Sequence, residues 1–180
     1  MSINWAKTKI QSLADYLPSP PPVTRVLASD VETVEDFIYL GSKITSDCSS
    51  DAEMERRLQL ARRAFGRLGK VWRSIKFRVS SKIRIFNACV LPILLYGCET
   101  WSPTAEHSRR MDAYHRSCLR YILGVRWFHH VTNDDLYARA SVSATISSLI
   151  KRRRLQLLGH VARLDDCVPA MKASAWVASA

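Results

Sequence analysis

Arginine carries most of the chemistry legible in this sequence. Arg56, Arg57, Arg62, Arg63 and Arg67 fall within one short stretch, and Lys151-Arg152-Arg153-Arg154 forms a second cluster. A guanidinium is a planar fork that matches phosphate oxygens bidentately and stacks on bases, which a lysine excess serving solubility does not do. The whole chain carries a net charge of +11, from 27 lysines and arginines against 16 acids. Such a surface attracts polyanions, so RNA or DNA is the first partner to expect, bound through phosphates and hence independently of sequence. A solvated cationic face is the plainer use of the first cluster, yet five arginines on a single helix exceed what solubility requires. The second cluster has three uses: phosphate contact, nuclear import, or decoration of a helix start, the last being the commonest for a charge run.

Carboxylates and metal ligands offer less. Two-metal phosphoryl chemistry needs carboxylates fixed a few ångströms apart to hold both ions. Asp134-Asp135 follows Thr132-Asn133 at a helix start and reads as capping, and Asp165-Asp166 lies near the irregular end. No catalytic residue is assigned, and the chain by itself is not expected to be an enzyme. His115-x-x-Cys118, with Cys98, His107, His129, His130, His160 and Cys167 elsewhere, suggests zinc by residue type, but the spacing is that of no standard finger, and packing on an apolar helix face is the better reading. No metal site and no cofactor follow. Trp101, Trp127 and Phe128 are of the kind that stack on bases, though aromatic residues serve more often as buried anchors. Five widely spaced cysteines without a Cys-x-x-Cys pair fit reduced thiols, most of them small core residues.

These side chains need elements to hold them. Leu17-Pro18-Ser19-Pro20-Pro21-Pro22 stops any preceding helix. Val23–Leu27 and Val34–Leu40 flank a polar stretch and predict two strands of a small hairpin. Ser49 or Ser50, with Asp51 and Glu53, opens a long helix whose apolar positions Met54, Leu58, Ala61, Phe65, Leu68 and Trp72 leave the arginines outward. Lys82 to Tyr96 predicts a second helix, apolar nearly all round and kinked at Pro92, as the buried centre. A third follows Thr104 and ends at Gly124, with Met111, Tyr114, His115, Cys118, Leu119, Ile122 and Leu123 on one side. Thr132 caps a short helix to Ala140, and Ser143–Ser148 leads into a last one. The fold class is therefore mainly α, a helical bundle after a small β-hairpin, organised as 1–48, 49–101, 102–166 and a tail, 167–180, to which no structure is assigned. The opening residues show no secretory pattern and no run is long and apolar enough to span a membrane, so an intracellular protein is expected.

The order of short motifs adds a family. Asn4-Trp5-Ala6-Lys7-Thr8-Lys9, Phe37-Ile38-Tyr39-Leu40-Gly41, Glu55-Arg56-Arg57 through Ala64-Phe65, Leu94-Leu95-Tyr96-Gly97-Cys98-Glu99-Thr100-Trp101, Leu119-Arg120-Tyr121-Ile122-Leu123-Gly124-Val125 and Arg154-Leu155-Gln156-Leu157-Leu158-Gly159-His160-Val161 together resemble the reverse transcriptases of non-LTR, LINE-like retrotransposons. The resemblance covers roughly residues 1–165. It implies the end of the palm, a thumb and the helical region after it, without fingers or most of the palm. The family's Tyr-x-Asp-Asp hairpin and earlier aspartate are missing, so the magnesium of a complete polymerase would have no site. Phe37, Tyr39, Leu40 and Gly41 match a primer grip, although without a palm a strand packing its aromatics is the better reading. Lys7 matches a lysine near the pyrophosphate side of that active site. The arginine helix matches the place where a thumb meets a template-primer duplex.

Three functions stay open at this level. The first is a reverse-transcriptase fragment that keeps nucleic-acid binding without polymerase activity. The second is a protein-interaction module using Ile83–Leu95 and Trp101, which would otherwise rest on the missing palm. The third is a transposon relic without a selected role. A nuclear setting follows from the family resemblance alone.

Overall fold

The computed structural model describes residues 8–11, 24–26 and 29–164. The readings at Asn4–Lys7, the proline stretch, Asp165-Asp166, Cys167 and the tail lie outside them. The chain divides into two compact units, 1–57 and 58–180. Helix α1 (Asp51–Arg67) gives its first turns to one and the remainder to the other.

In the first unit, β1 (Lys9–Ile10) runs parallel to β3 (Ser29–Thr33), and β2 (Thr24–Val26) pairs antiparallel with β3. β4 (Asp36–Tyr39) and β5 (Ser42–Thr45) form a separate antiparallel pair in the register Tyr39↔Ser42. The two predicted strands thus do not pair with each other, and three pairings in two small sheets stand in place of the single hairpin. The stretch read as its turn is itself mostly strand β3, with Val31 buried. The β4–β5 turn is closed by Leu40 and Gly41, at φ 48° and 81°, the left-handed backbone that a two-residue hairpin loop requires. Glu53, one turn into α1, fixes that turn. Its carboxylate accepts from the Lys43 amide at 2.8 Å and the Ser42 hydroxyl at 3.3 Å, and pairs with Arg57 Nε at 2.5 Å. Arg56 donates to the Gly41 carbonyl at 3.0 Å, and Arg57 donates to the same oxygen.

α1 starts where the sequence predicts, with the Asp51 amide donating to Ser49 Oγ at 3.1 Å. It does not run through to Trp72. Gly66 and Gly69, poor helix formers, bracket Leu68, and the helix restarts as α2 (Gly69–Arg73). The Phe65 carbonyl at this break accepts from the Leu68 amide and from the Trp72 indole at 2.8 Å, so this acceptor is not left bare.

The predicted second helix is two helices, α3 (Val79–Cys89) and α4 (Leu91–Leu94), broken at Val90. Pro92 lacks an amide donor and its ring would meet the carbonyl one turn back, which accounts for the break. It is not apolar all round in effect: Ile83, Phe86, Val90 and Leu94 are buried, while Ala88 and Cys89 face outward.

α5 (Ala105–Leu123) is the centre of the second unit and packs against α2, α3, α6 and α7. Thr104 caps it by accepting from the His107 amide, and Gly124, at φ 67°, ends it with the Val125 amide returning to the Arg120 carbonyl at 2.9 Å. Its inner face is Met111, Tyr114, His115, Cys118, Leu119 and Ile122, all buried. α6 (Asn133–Ala140) is capped by Thr132, which accepts from the Asp135 amide and donates to the Asp135 carboxylate at 2.8 Å. α7 (Ile146–Val161) is capped by Thr145 and bound to α5 where Asp112 accepts from the Ser147 amide at 3.0 Å and its hydroxyl at 2.7 Å. That carboxylate also faces the positive end of the α7 dipole. The fold is mainly helical with small antiparallel strand pairs before the helices, as the sequence predicts.

Replacing Glu53 by alanine leaves Arg57 buried without its counter-charge. Urea unfolding is expected to show a loss of about 3–5 kcal/mol, against about 0.5 kcal/mol or less for the exposed Arg63→Ala.

Candidate nucleic-acid interface

The second unit opens with a stripe of exposed side chains. Gln59, Arg62, Arg63, Gly66 and Arg67 recur at helical spacing along α1, and Lys70 and Arg73 prolong the exposed run on α2. The inner face holds them in place. Leu58 and Ala61 are buried, and Phe65 stacks on Trp72 at 5.0 Å and meets Phe86 and Tyr121 edge-on at 6.2 and 5.7 Å. The Arg62 guanidinium lies 6.0 Å from the Tyr114 ring centroid, a cation–π contact at the outer limit of that interaction. From Arg56 to Cys98 no aspartate or glutamate occurs. This acid-free run is the sequence signal that would have added Lys70 and Arg73 to the predicted set. After α2 the connection to α3 leaves Ile75, Lys76, Phe77 and Arg78 exposed, alternating apolar and basic groups.

The predicted arginines are not equivalent. Arg62, Arg63 and Arg67 are exposed. Arg57 is 6% exposed and engaged by Glu53 and Gly41, so its charge is consumed inside the fold. Arg56 is half-buried and bonded to the same two residues. In the second cluster, Lys151, Arg152 and Arg154 are exposed, while Arg153 donates to the Leu95 carbonyl at 3.2 Å and sits 3.5 Å from Glu99, tying α7 to the 3-10 turn Cys98–Thr100. Lys151 and Arg154 border an open groove of about 540 Å³ whose apolar wall is Leu155, Leu157, Leu158 and Val161. The first three of those apolar side chains are exposed. By contrast Ile83, Leu94, Leu95 and Trp101, expected to offer a docking face, are buried in the unit's own core.

The strand matching a primer grip does not pack its aromatics. Phe37, Ile38, Tyr39 and Leu40 are all exposed, and Gly41 serves the turn through its carbonyl and its left-handed backbone.

His115 and Cys118 are buried: His115 stacks on Phe86 at 5.7 Å and lies 5.7 Å from Tyr137. No group of three or more His, Cys, Asp or Glu side chains converges among the described residues. Burial pushes the Cys118 thiol up to about 11 and raises Cys98 as well, so neither is a thiolate near neutrality. Cys48 and Cys89 are exposed, so the expectation that most cysteines are core residues holds for Cys98 and Cys118 and fails for these two. Trp101 is a buried anchor, but Trp127 and Phe128 are exposed. Among the described residues no helix is long and apolar enough to cross a membrane.

No protein-family model matches the chain, and no solved structure matches it. It is similar to a curated Caenorhabditis elegans protein described as an uncharacterized transposon-derived protein, 30% identical over 176 residues. The alignment covers 92% of this chain, which spans 61% of the relative's length.

Burial also lowers His115 to about 4 from its ordinary 6.5, with Asp112 opposing and Arg116 adding to the shift. Unfolding therefore takes up a proton between those values. The stability from keeping His115 neutral is complete above about pH 6.5 and is lost as the pH falls to about 4, a difference of about 3 kcal/mol. Urea unfolding across that range should show a steeper decline for the wild type than for His115→Phe, which keeps a ring between Phe86 and Tyr137 and cannot titrate.

Proposed function

We propose that this chain derives from a transposon and is a thumb-containing piece of a LINE-type reverse transcriptase, without polymerase activity of its own, that binds nucleic-acid duplex independently of sequence. The motif succession described above and the similarity to a transposon-derived protein support the origin. The observation that carries the binding is the acid-free run presented as an exposed stripe by α1 and α2. Arg62, Arg63, Arg67, Lys70 and Arg73 are all exposed along α1 and α2, open to the approach of a phosphate. A helix laid along the shallow minor groove of an RNA-containing duplex meets phosphates and sugars, which carry no sequence information. The Lys151, Arg152 and Arg154 side chains on α7 supply a second set of phosphate contacts.

A protein-interaction role has its own observation in the exposed leucines of the α7 groove. On that reading the chain self-associates, and Leu155→Ser with Leu158→Ser returns it to a monomer in light scattering.

The duplex reading is tested by fluorescence anisotropy of a labelled RNA–DNA hybrid across a salt series. Wild-type binding weakens steeply with salt. Changing Arg62, Arg63, Arg67 and Lys70 to alanine reduces the slope of log K against log salt by roughly one for each phosphate that is no longer neutralised. A wild type that does not bind at low salt excludes the reading.

A further inference from the structure

Trp127 and Phe128 stand out against the rest of the second unit. Trp72, Phe86 and Trp101 are buried and Phe77, Tyr96 and Tyr121 are about half exposed, whereas Trp127 is 87% exposed and lies beside Phe128, itself exposed. Exposed rings of this size, side by side, are unfavourable in water unless something covers them. They are also not on a loose loop. Gly124 turns the chain out of α5 in the left-handed region. The 3-10 turn that follows is closed by the His129 amide donating to the Arg126 carbonyl at 3.0 Å, and the Arg126 amide donates to His129 Nδ1 at 3.1 Å. Phe128 stands edge-on to Trp127, with centroids 5.7 Å apart at 84°, and to His129 at 4.5 Å and 80°. In perpendicular packing the edge of one ring meets one face of the other, so each contact covers part of a single face and the opposite faces stay open.

We infer that the turn Arg126–His130 is a stacking platform for unpaired bases of single-stranded RNA or DNA. The surroundings select that occupant over an apolar protein surface. The same turn presents Arg126, His129 and His130, all exposed. Arg120, at the end of α5, has its guanidinium held by Asn133 Oδ1 at 2.9 Å. An exposed arginine next to open aromatic faces places phosphates at the edge and bases on the rings, and every base has a face to offer, so recognition is sequence-tolerant. Bases inside a duplex are already stacked on one another, so the platform takes single strands and not the hybrid. This deepens the proposed function and rests on its reading of the chain as a nucleic-acid binder. It adds a second class of ligand: template or displaced strand beyond the duplex.

The test uses the full chain, a labelled oligo(U) and an oligo(dT) of equal length, and a blunt RNA–DNA hybrid, in anisotropy titrations of wild type, Trp127→Ala with Phe128→Ala, and Trp127→Phe. Single-strand affinity is expected to fall about tenfold or more in the double-alanine variant, hybrid affinity to change less than about threefold, and Trp127→Phe to retain most binding. Tryptophan emission of the wild type should be quenched by either oligonucleotide, and that quenching should vanish in Trp127→Phe. Unchanged single-strand affinity in the double-alanine variant, or an equal fall for strand and hybrid, overturns the platform while leaving duplex binding standing. Single-strand binding that depends on these rings, with no hybrid binding by the wild type, upholds the platform and removes the duplex reading. A wild type that binds neither ligand overturns both.

Discussion

The second unit depends on burial of one face of α5. Met111, Tyr114, His115, Cys118, Leu119 and Ile122 form a continuous inner stripe, and α2, α3, α6 and α7 are positioned by packing against that helix. Every polar exception on the stripe is constrained by this. His115 is held neutral, stacked on Phe86 and tilted against Tyr137, and the Cys118 thiol stays protonated. Asp112, one position off the stripe, closes the N-terminus of α7. Trp72 is buried with Phe65 half-buried and stacked on it, and in that arrangement Arg62, Arg63 and Arg67 are exposed.

Burial, more than sequence position, divides the arginines by use. Arg57 and Arg62 are five residues apart on one helix. The first is enclosed with a carboxylate and a carbonyl, the second exposed over an aromatic ring. Arg153 is likewise committed to Leu95 and Glu99, while its neighbours Arg152 and Arg154 are exposed. A buried pair stabilises the fold through the penalty of breaking it, whereas an exposed arginine contributes little to stability and keeps its charge available at long range. The absence of acids from Arg56 to Cys98 makes that field one-signed along the stripe.

The helices are the legible part of the sequence because they depend on local signals. Thr104, Thr132 and Thr145 cap where a threonine before an apolar-periodic run should, and Gly124 ends α5. Local signals fail where long-range pairing decides. β3 pairs with two strands, one of them parallel, which no local pattern announces. The break at Leu68 reflects two glycines whose individual effects are small. At the candidate interface the arginine run is legible as composition. The withdrawal of Arg57 and Arg153 is not, since their partners Gly41 and Leu95 are 16 and 58 residues away. Trp127 runs the other way: residue type favours burial, but nothing after Gly124 supplies the periodicity that would bury it.

On the proposed function, the α1–α2 stripe meets the phosphates of a bound duplex. Arginine footprinting with phenylglyoxal, read by mass spectrometry with and without an RNA–DNA hybrid, tests this residue by residue. Protection of Arg62, Arg63 and Arg67 on binding is expected, with Arg109 on α5 remaining as reactive as before. Bound hybrid that leaves Arg62, Arg63 and Arg67 fully reactive, or that protects Arg109 equally, would contradict it.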